Sequence, residues 1–137
     1  MKTLDMRFIR YLNLFDKITR VRTSNCFFYN NAIFFAVNRA LISKAIGENG
    51  KNVKRMNEII KRKIKIIALP RDASDAGRFI SDIVEPIGFK NLEVNEKEII
   101  IVAGSQSKAA LIGRNKARLE EMKNIAKEYF NRELRIV

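Results

Sequence analysis

The feature that most limits how this chain can fold is an internal repeat. Gly47 and Gly113 stand 66 residues apart, and the same offset sets Ile46 over Ile112, Asn49 over Asn115, Val53 over Leu119, Met56 over Met122 and Ile59 over Ile125. Upstream, Ile33-Phe34-Phe35-Ala36-Val37 falls on Ile99-Ile100-Ile101-Val102-Ala103 without a gap. A period of this length exceeds that of the usual solenoid units, so it predicts two small domains in tandem rather than a stacked array. The 137 residues divide at Leu69-Pro70-Arg71-Asp72, a linker-like stretch, into domains 1–70 and 71–137.

Within each half the apolar spacing predicts one order: helix, strand, strand, helix, helix, strand. In the first half Leu4, Phe8, Tyr11, Leu12, Phe15 and Ile18 fall on one face of a helix. Val21 to Tyr29 and Ala32 to Val37 are strand-like, with Asn30-Asn31 able to supply a tight hairpin turn. A short helix over Arg39 to Ile46, the segment Gly47-Glu48-Asn49-Gly50, a helix carrying Val53, Met56, Ile59 and Ile60, and a strand from Ile64 to Leu69 complete the unit. In the second half Asp72 and Asp75 can cap a helix carrying Ala76, Phe79, Ile80, Ile83 and Val84 that ends before Pro86. Strands over Phe89 to Val94 and Glu98 to Ala103 follow, then a short helix capped by Ser105. Leu119, Met122, Ile125, Ala126 and Tyr129 form the stripe of the next helix, and Arg132 to Val137 is the last strand. The expected class is α+β.

Charge distinguishes the two copies. Lys and Arg number 27 against 15 Asp and Glu, a formal charge of +12 that points to a polyanionic partner. Up to Pro70 there are fifteen basic and four acidic residues; from Arg71 onward there are twelve and eleven. Nearly all the surplus therefore belongs to the first half. The chain has no histidine and only Cys26, which removes the commonest general base, Cys-rich zinc sites and intrachain disulfides. Neither a membrane-length apolar run nor the apolar centre of a signal peptide is visible, so the expected setting is cytoplasmic. Phe8, Phe15, Phe34, Phe35 and Phe79 read as core, whereas the consecutive Phe27, Phe28 and Tyr29 must supply both faces of a strand.

Gly47-Glu48-Asn49-Gly50 joins two helices. Its glycines permit positive φ and close approach of another backbone, and the turn opens a longer helix whose free N–H groups face outward. Lys44, Lys51, Lys54 and Arg55 flank it. A phosphodiester suits such a place, although helical hairpins also use glycine simply to reverse the chain.

Ala45-Ile46-Gly47-Glu48-Asn49-Gly50-Lys51-Asn52-Val53-Lys54-Arg55 resembles the signature of a KH domain, and the element order is similar to that of the type II variant. Two such domains filling essentially the whole chain, with Asn25-Cys26 before the first hairpin strand, resemble the archaeal NusA-like transcription termination factors. The resemblance implies two tandem type II KH domains, each with a three-stranded sheet, and single-stranded RNA as partner, held about four nucleotides at a time. It places the sugar-phosphate chain on Gly47, Glu48, Asn49 and Gly50, bases over Ile46 and Val53, and phosphates near Lys44, Lys51, Lys54 and Arg55. The strand Ile64 to Leu69 is the implied base-reading edge. RNA polymerase or ribosomal components are further partners that it leaves open; no cofactor, metal, membrane or small-molecule substrate is implied.

The second half departs from the pattern. Its turn reads Gly113-Arg114-Asn115-Lys116, with lysine where the family has glycine, and Glu120 and Glu121 replace Lys54 and Arg55. A side chain at Lys116 is expected to make positive φ costly and to hinder an approaching RNA backbone, leaving a weaker surface. Other readings fit less well. A DNA-binding helix-hairpin-helix uses Gly-x-Gly spacing and lacks flanking strands, and a phosphate-binding Walker loop fails because Gly50-Lys51 is followed by Asn52. No catalytic constellation stands out, so the chain reads as a binder rather than an enzyme. Ribosomal-RNA processing or ribosome assembly, and scaffolding on RNA polymerase, are the alternatives within the same fold.

Overall fold

The computed structural model describes residues 6–137, so Leu4 of the expected first stripe lies outside the described residues. The chain forms two compact units, one ending at Leu69 and the other running from Pro70 to Val137. In the first, α1 (Met6–Thr19) precedes the hairpin β1 (Asn25–Tyr29) and β2 (Ala32–Val37), then α2 (Ile42–Ile46), α3 (Lys51–Ile60) and β3 (Lys63–Ala68). In the second, α4 (Ala76–Val84), β4 (Asn91–Val94), β5 (Glu98–Val102), α5 (Ser105–Ile112), α6 (Ala117–Phe130) and β6 (Glu133–Ile136) repeat that order. Each unit has one three-stranded sheet, β1-β2-β3 or β4-β5-β6, whose central strand pairs antiparallel with the first and parallel with the last. This is the α+β arrangement expected of tandem type II KH domains. Among the described residues no helix is long and apolar enough to cross a membrane.

In the first unit alternation along the strands sends Cys26, Ile33, Phe35, Val37 and Ile64 into a core with Phe15, Ala45 and Met56. The rings of Phe15 and Phe35 stack at its centre, 4.4 Å between centroids. Phe27 and Phe34 stack on the opposite face of the sheet, 5.1 Å apart, with Tyr29 edge-on to Phe34. Phe28 points the other way, against Phe8 and Tyr11, with the Arg7 and Arg62 guanidinium groups over its ring. The hairpin turns at Asn30 and Asn31, φ 50° and 64°, the paired left-handed geometry that asparagine tolerates and that matches strand twist. In the second unit Phe79, Ile99, Ile101, Leu111, Met122, Ile125, Phe130 and Leu134 are buried.

Local hydrogen bonds explain where the elements depart from the apolar pattern. The strand expected from Val21 begins only at Asn25, so Asn25-Cys26 opens the first hairpin strand, paired with Ala36 and Phe35, rather than preceding it. Arg20, at φ 62°, ends α1, and Val21 N–H donates to the Thr19 hydroxyl rather than to a strand. The Thr23 hydroxyl in turn donates to the Ala36 carbonyl and accepts from Asn25 N–H. The expected strand at Phe89 likewise starts at Asn91, and β3 runs from Lys63 to Ala68, with Leu69 N–H still bonded to the Val37 carbonyl. Ser105 does not cap α5: it is the first helical residue, and Gly104 precedes it without a side-chain bond.

The repeat also changes length at one place. Ala32 pairs with Lys63 and Glu98 with Glu133, so the two central strands are 66 residues apart while their parallel partners are 70 apart. The difference lies in α6, which has 14 residues where α3 has 10. Four residues are about one helical turn, so the insertion lengthens the helix without rotating its buried face. Both helices then stop at a left-handed residue, Lys61 at φ 65° and Asn131 at φ 53°.

At the start of the second unit Asp72 accepts from the Ser74 hydroxyl and N–H, and Asp75 accepts from Arg78 and from Arg71 N–H. The Ser74 hydroxyl holds the Asp72 carboxyl below its ordinary value, and the Arg78 guanidinium does the same for Asp75. A carboxylate whose folded pKa is depressed stabilises the fold above its unfolded value, here 3.8, and that stability is lost as pH falls through the folded value. Asp75→Asn should therefore lower the melting temperature at about pH 6, by a margin that shrinks as pH falls below 3.8, which thermal melts across the acid range will read. Phe35→Ala should cost about 3–5 kcal/mol in urea unfolding, because it opens a cavity beneath Phe15 at a fully buried site.

Candidate nucleic-acid interface

The turn after α2 is built from three residues in backbone regions that ordinary side chains avoid. Gly47 has φ 82° and ψ 164°, Asn49 φ 56° and ψ 25°, and Gly50 φ 73° and ψ 20°. The Gly47 N–H still donates to the Ser43 carbonyl and Gly50 N–H donates to the Gly47 carbonyl, so the loop is one tight helical turn between two helices. Glu48 and Asn49 form its exposed rim.

The two glycines are required for different reasons. A Cβ on Gly47 would lie 2.9 Å from the Asn52 side chain, whereas a Cβ on Gly50 would have nothing within 4 Å. Asn52 is there because its amide reaches back to the Ala45 carbonyl at 3.1 Å and the Lys44 carbonyl at 3.3 Å, satisfying the end of α2. The first glycine thus makes room for a side-chain lock, and the second supplies only a left-handed conformation.

The second turn is the same object. Gly113 has φ 75° and ψ 173°, Asn115 φ 56° and ψ 28°, and Lys116 φ 61° and ψ 21°. Arg118, 66 residues after Asn52, donates to the Ala110 carbonyl at 2.9 Å, and a Cβ on Gly113 would meet its side chain, again at 2.9 Å. Lysine at the fourth position therefore leaves the backbone path unchanged. It carries the strain of positive φ, but the open space at that position explains why a side chain fits. Neither lock was read from the sequence. A donor-bearing residue five positions after the first glycine in both copies is the signal that could have revealed it.

The expected contact residues divide by burial and by side. Lys44, Glu48, Asn49, Lys51, Lys54 and Arg55 are exposed, and Ile46 and Val53 are half-buried. Val53 packs against the first-unit core, so part of its side chain is structural. α2 and α3 both contact β3, the terminal strand of the sheet. Around the second turn Arg114, Asn115 and Lys116 are exposed, and Glu120 pairs with Lys123.

Gly47→Ala should disturb the turn more than Gly50→Ala, because it adds a clash with Asn52 to a backbone region, φ 82° and ψ 164°, that is essentially restricted to glycine, whereas Gly50 sits in the left-handed helical region at a strain of about 1 kcal/mol. Asn52→Ala should cost about 1 kcal/mol by leaving the α2 carbonyls without their side-chain donor. Lys116→Gly should leave the second turn in place and change stability by less than about 1 kcal/mol. Denaturant unfolding of the four variants measures all three expectations.

No family model matches the chain. It is 22% identical over 132 residues, 94% of its length and 93% of the relative's, to a protein of Halococcus morrhuae named "Probable transcription termination protein NusA". A protein of the same name from Methanocaldococcus jannaschii is 27% identical over 125 residues, 88% of this chain and 67% of the relative. The solved structure described as "Crystal structure of APE1850" superposes with a TM-score of 0.65 at 21% identity, covering 98% of this chain and 99% of the other, and so shares its fold. Over most of its length the chain is thus similar in sequence to proteins named as probable archaeal NusA.

Proposed function

We propose that this chain is a single-stranded RNA-binding protein acting in transcription termination or antitermination, and that it is a binder rather than an enzyme. The observation that carries the reading is the Gly47–Gly50 turn, whose exposed rim is flanked by Lys44, Lys51, Lys54 and Arg55. A phosphodiester can lie against Glu48 and Asn49 because neither glycine presents a side chain to it, and the cations neutralise its charge. Ile46 and the exposed part of Val53 offer an apolar floor to the bases, beside the backbone edge of β3. The relatives named for transcription termination support placing this binding in transcription; RNA polymerase as accompanying partner and the cytoplasm as setting are parts of the same proposal.

The second turn has the same backbone but a lysine at its fourth position and glutamates on its helix. We assign Gly113, Arg114, Asn115 and Lys116 a weaker, charge-based contact that extends the surface. Gly50→Asp and Lys116→Asp place a carboxylate at equivalent points, where the first-turn site is open and the second already bears a side chain. In titrations with unstructured single-stranded RNA, Gly50→Asp should lose at least about tenfold in affinity and Lys116→Asp substantially less. A larger loss from Lys116→Asp would reverse the assignment of the two domains. With about four phosphates contacted, the log–log salt slope for the wild type should be about −3, and a slope near zero would exclude the electrostatic clamp.

A further inference from the structure

The cations around the first turn are not one group. Lys44, Lys51 and Arg55 line an open depression of about 560 Å³ walled on its far side by Ile18 and Thr19 at the end of α1. Lys51 and Arg55 are one helical turn apart and share a flank of α3, while Met56 faces the core. Lys54 lies on the other side of Lys51, about 100° round the helix from Arg55, and does not line the depression. In the first unit α1 packs over β1, and α2 and α3 pack on β3. The depression therefore opens on the flank of the turn away from the β3 edge.

Its chemistry suits an anion. The Thr19 hydroxyl is committed to the Phe15 carbonyl and to Val21 N–H, so the α1 wall is closed and largely apolar. Glu48 is the one carboxylate among the lining residues, against three cations. The second unit supplies an internal comparison. At the offset of the repeat, Lys44, Lys51 and Arg55 become Ala110, Ala117 and Glu121, and Glu48 becomes Arg114. The same backbone there carries none of the three cations, so the turn itself does not require them.

We infer that this depression is a second phosphate-binding site, which takes the phosphodiesters of the nucleotides flanking the segment held at the turn. The inference rests on the RNA-binding reading above and sharpens it. The strand crosses the turn from the β3 edge toward α1, and the first domain reads more than four nucleotides, with the added contact made to the backbone rather than to bases.

The test uses the full chain, a four-nucleotide unstructured RNA, and six-nucleotide RNAs extended by two residues at either the 5′ or the 3′ end. Wild-type protein should bind one of the two extended RNAs about tenfold more tightly than the four-nucleotide RNA, with a salt slope steeper by about 1.4 for two added phosphates. Lys44→Ala/Lys51→Ala/Arg55→Ala changes three exposed side chains, so the core stays intact. Because these cations also flank the turn, the variant should bind the four-nucleotide RNA more weakly as well, but its gain on extension should fall to about twofold and the extra slope should vanish. A gain that survives the triple substitution, or an equal loss on short and extended RNAs, overturns the second site and leaves the clamp standing. Wild-type protein that binds none of these RNAs removes the RNA-binding reading and this inference together.

Discussion

Both domains depend on a side chain that reaches back across a turn. Asn52 in one and Arg118 in the other donate to carbonyls at the end of the preceding short helix. Without that donor, α2 is only five residues long and has unsatisfied carbonyls at its exit. The lock lies 2.9 Å from where a Cβ on the preceding glycine would be, and that crowding adds to the positive φ of Gly47 and Gly113 in requiring glycine there. Once the lock is closed, the next helix starts in a defined direction, and its apolar face is delivered to the sheet. The exposed rim of the turn is a by-product of the same geometry, and a by-product of that shape is what an RNA backbone can use.

The lock also explains why the two copies can differ in chemistry while keeping one shape. Gly50 and Lys116 adopt nearly the same left-handed backbone, φ 73° and 61°, and a Cβ at Gly50 would meet nothing within 4 Å, so a side chain at the fourth position adds no clash. A strained lysine costs on the order of a kilocalorie per mole, which the surrounding structure tolerates. Charge at Lys44, Lys51 and Arg55 is likewise free to vary, because none of these side chains is buried. A frame fixed by a hydrogen bond and a missing Cβ lets the surfaces diverge from strongly basic to nearly neutral.

The insertion in α6 follows the same logic of permitted change. Four residues add about one turn, so Met122, Ile125 and Phe130 all remain buried. The parallel pairing of the last strand is kept because the helix absorbs the extra length before its left-handed stop. An insertion of two residues would have rotated the apolar stripe away from the sheet.

By itself the sequence determined the repeat, the order of the elements, the hairpin at Asn30-Asn31, the position of both turns and the concentration of charge in the first half. All of these follow from spacing and residue type, which act over a few positions and need no distant partner. The late start of β1 was not legible there, because Thr19 and Thr23 withdraw backbone groups from the ladder through bonds that apolar periodicity does not register. Lys116 does adopt the positive φ expected to be costly, yet its turn keeps the backbone of the first, which residue type alone did not show. Only the tertiary structure showed that Asn52 and Arg118 close the turns, and that Lys51 and Arg55 face α1 while Lys54 faces elsewhere. Those facts depend on which elements pack beside α3, and a side chain's neighbours across a fold are set by packing rather than by its place in the chain.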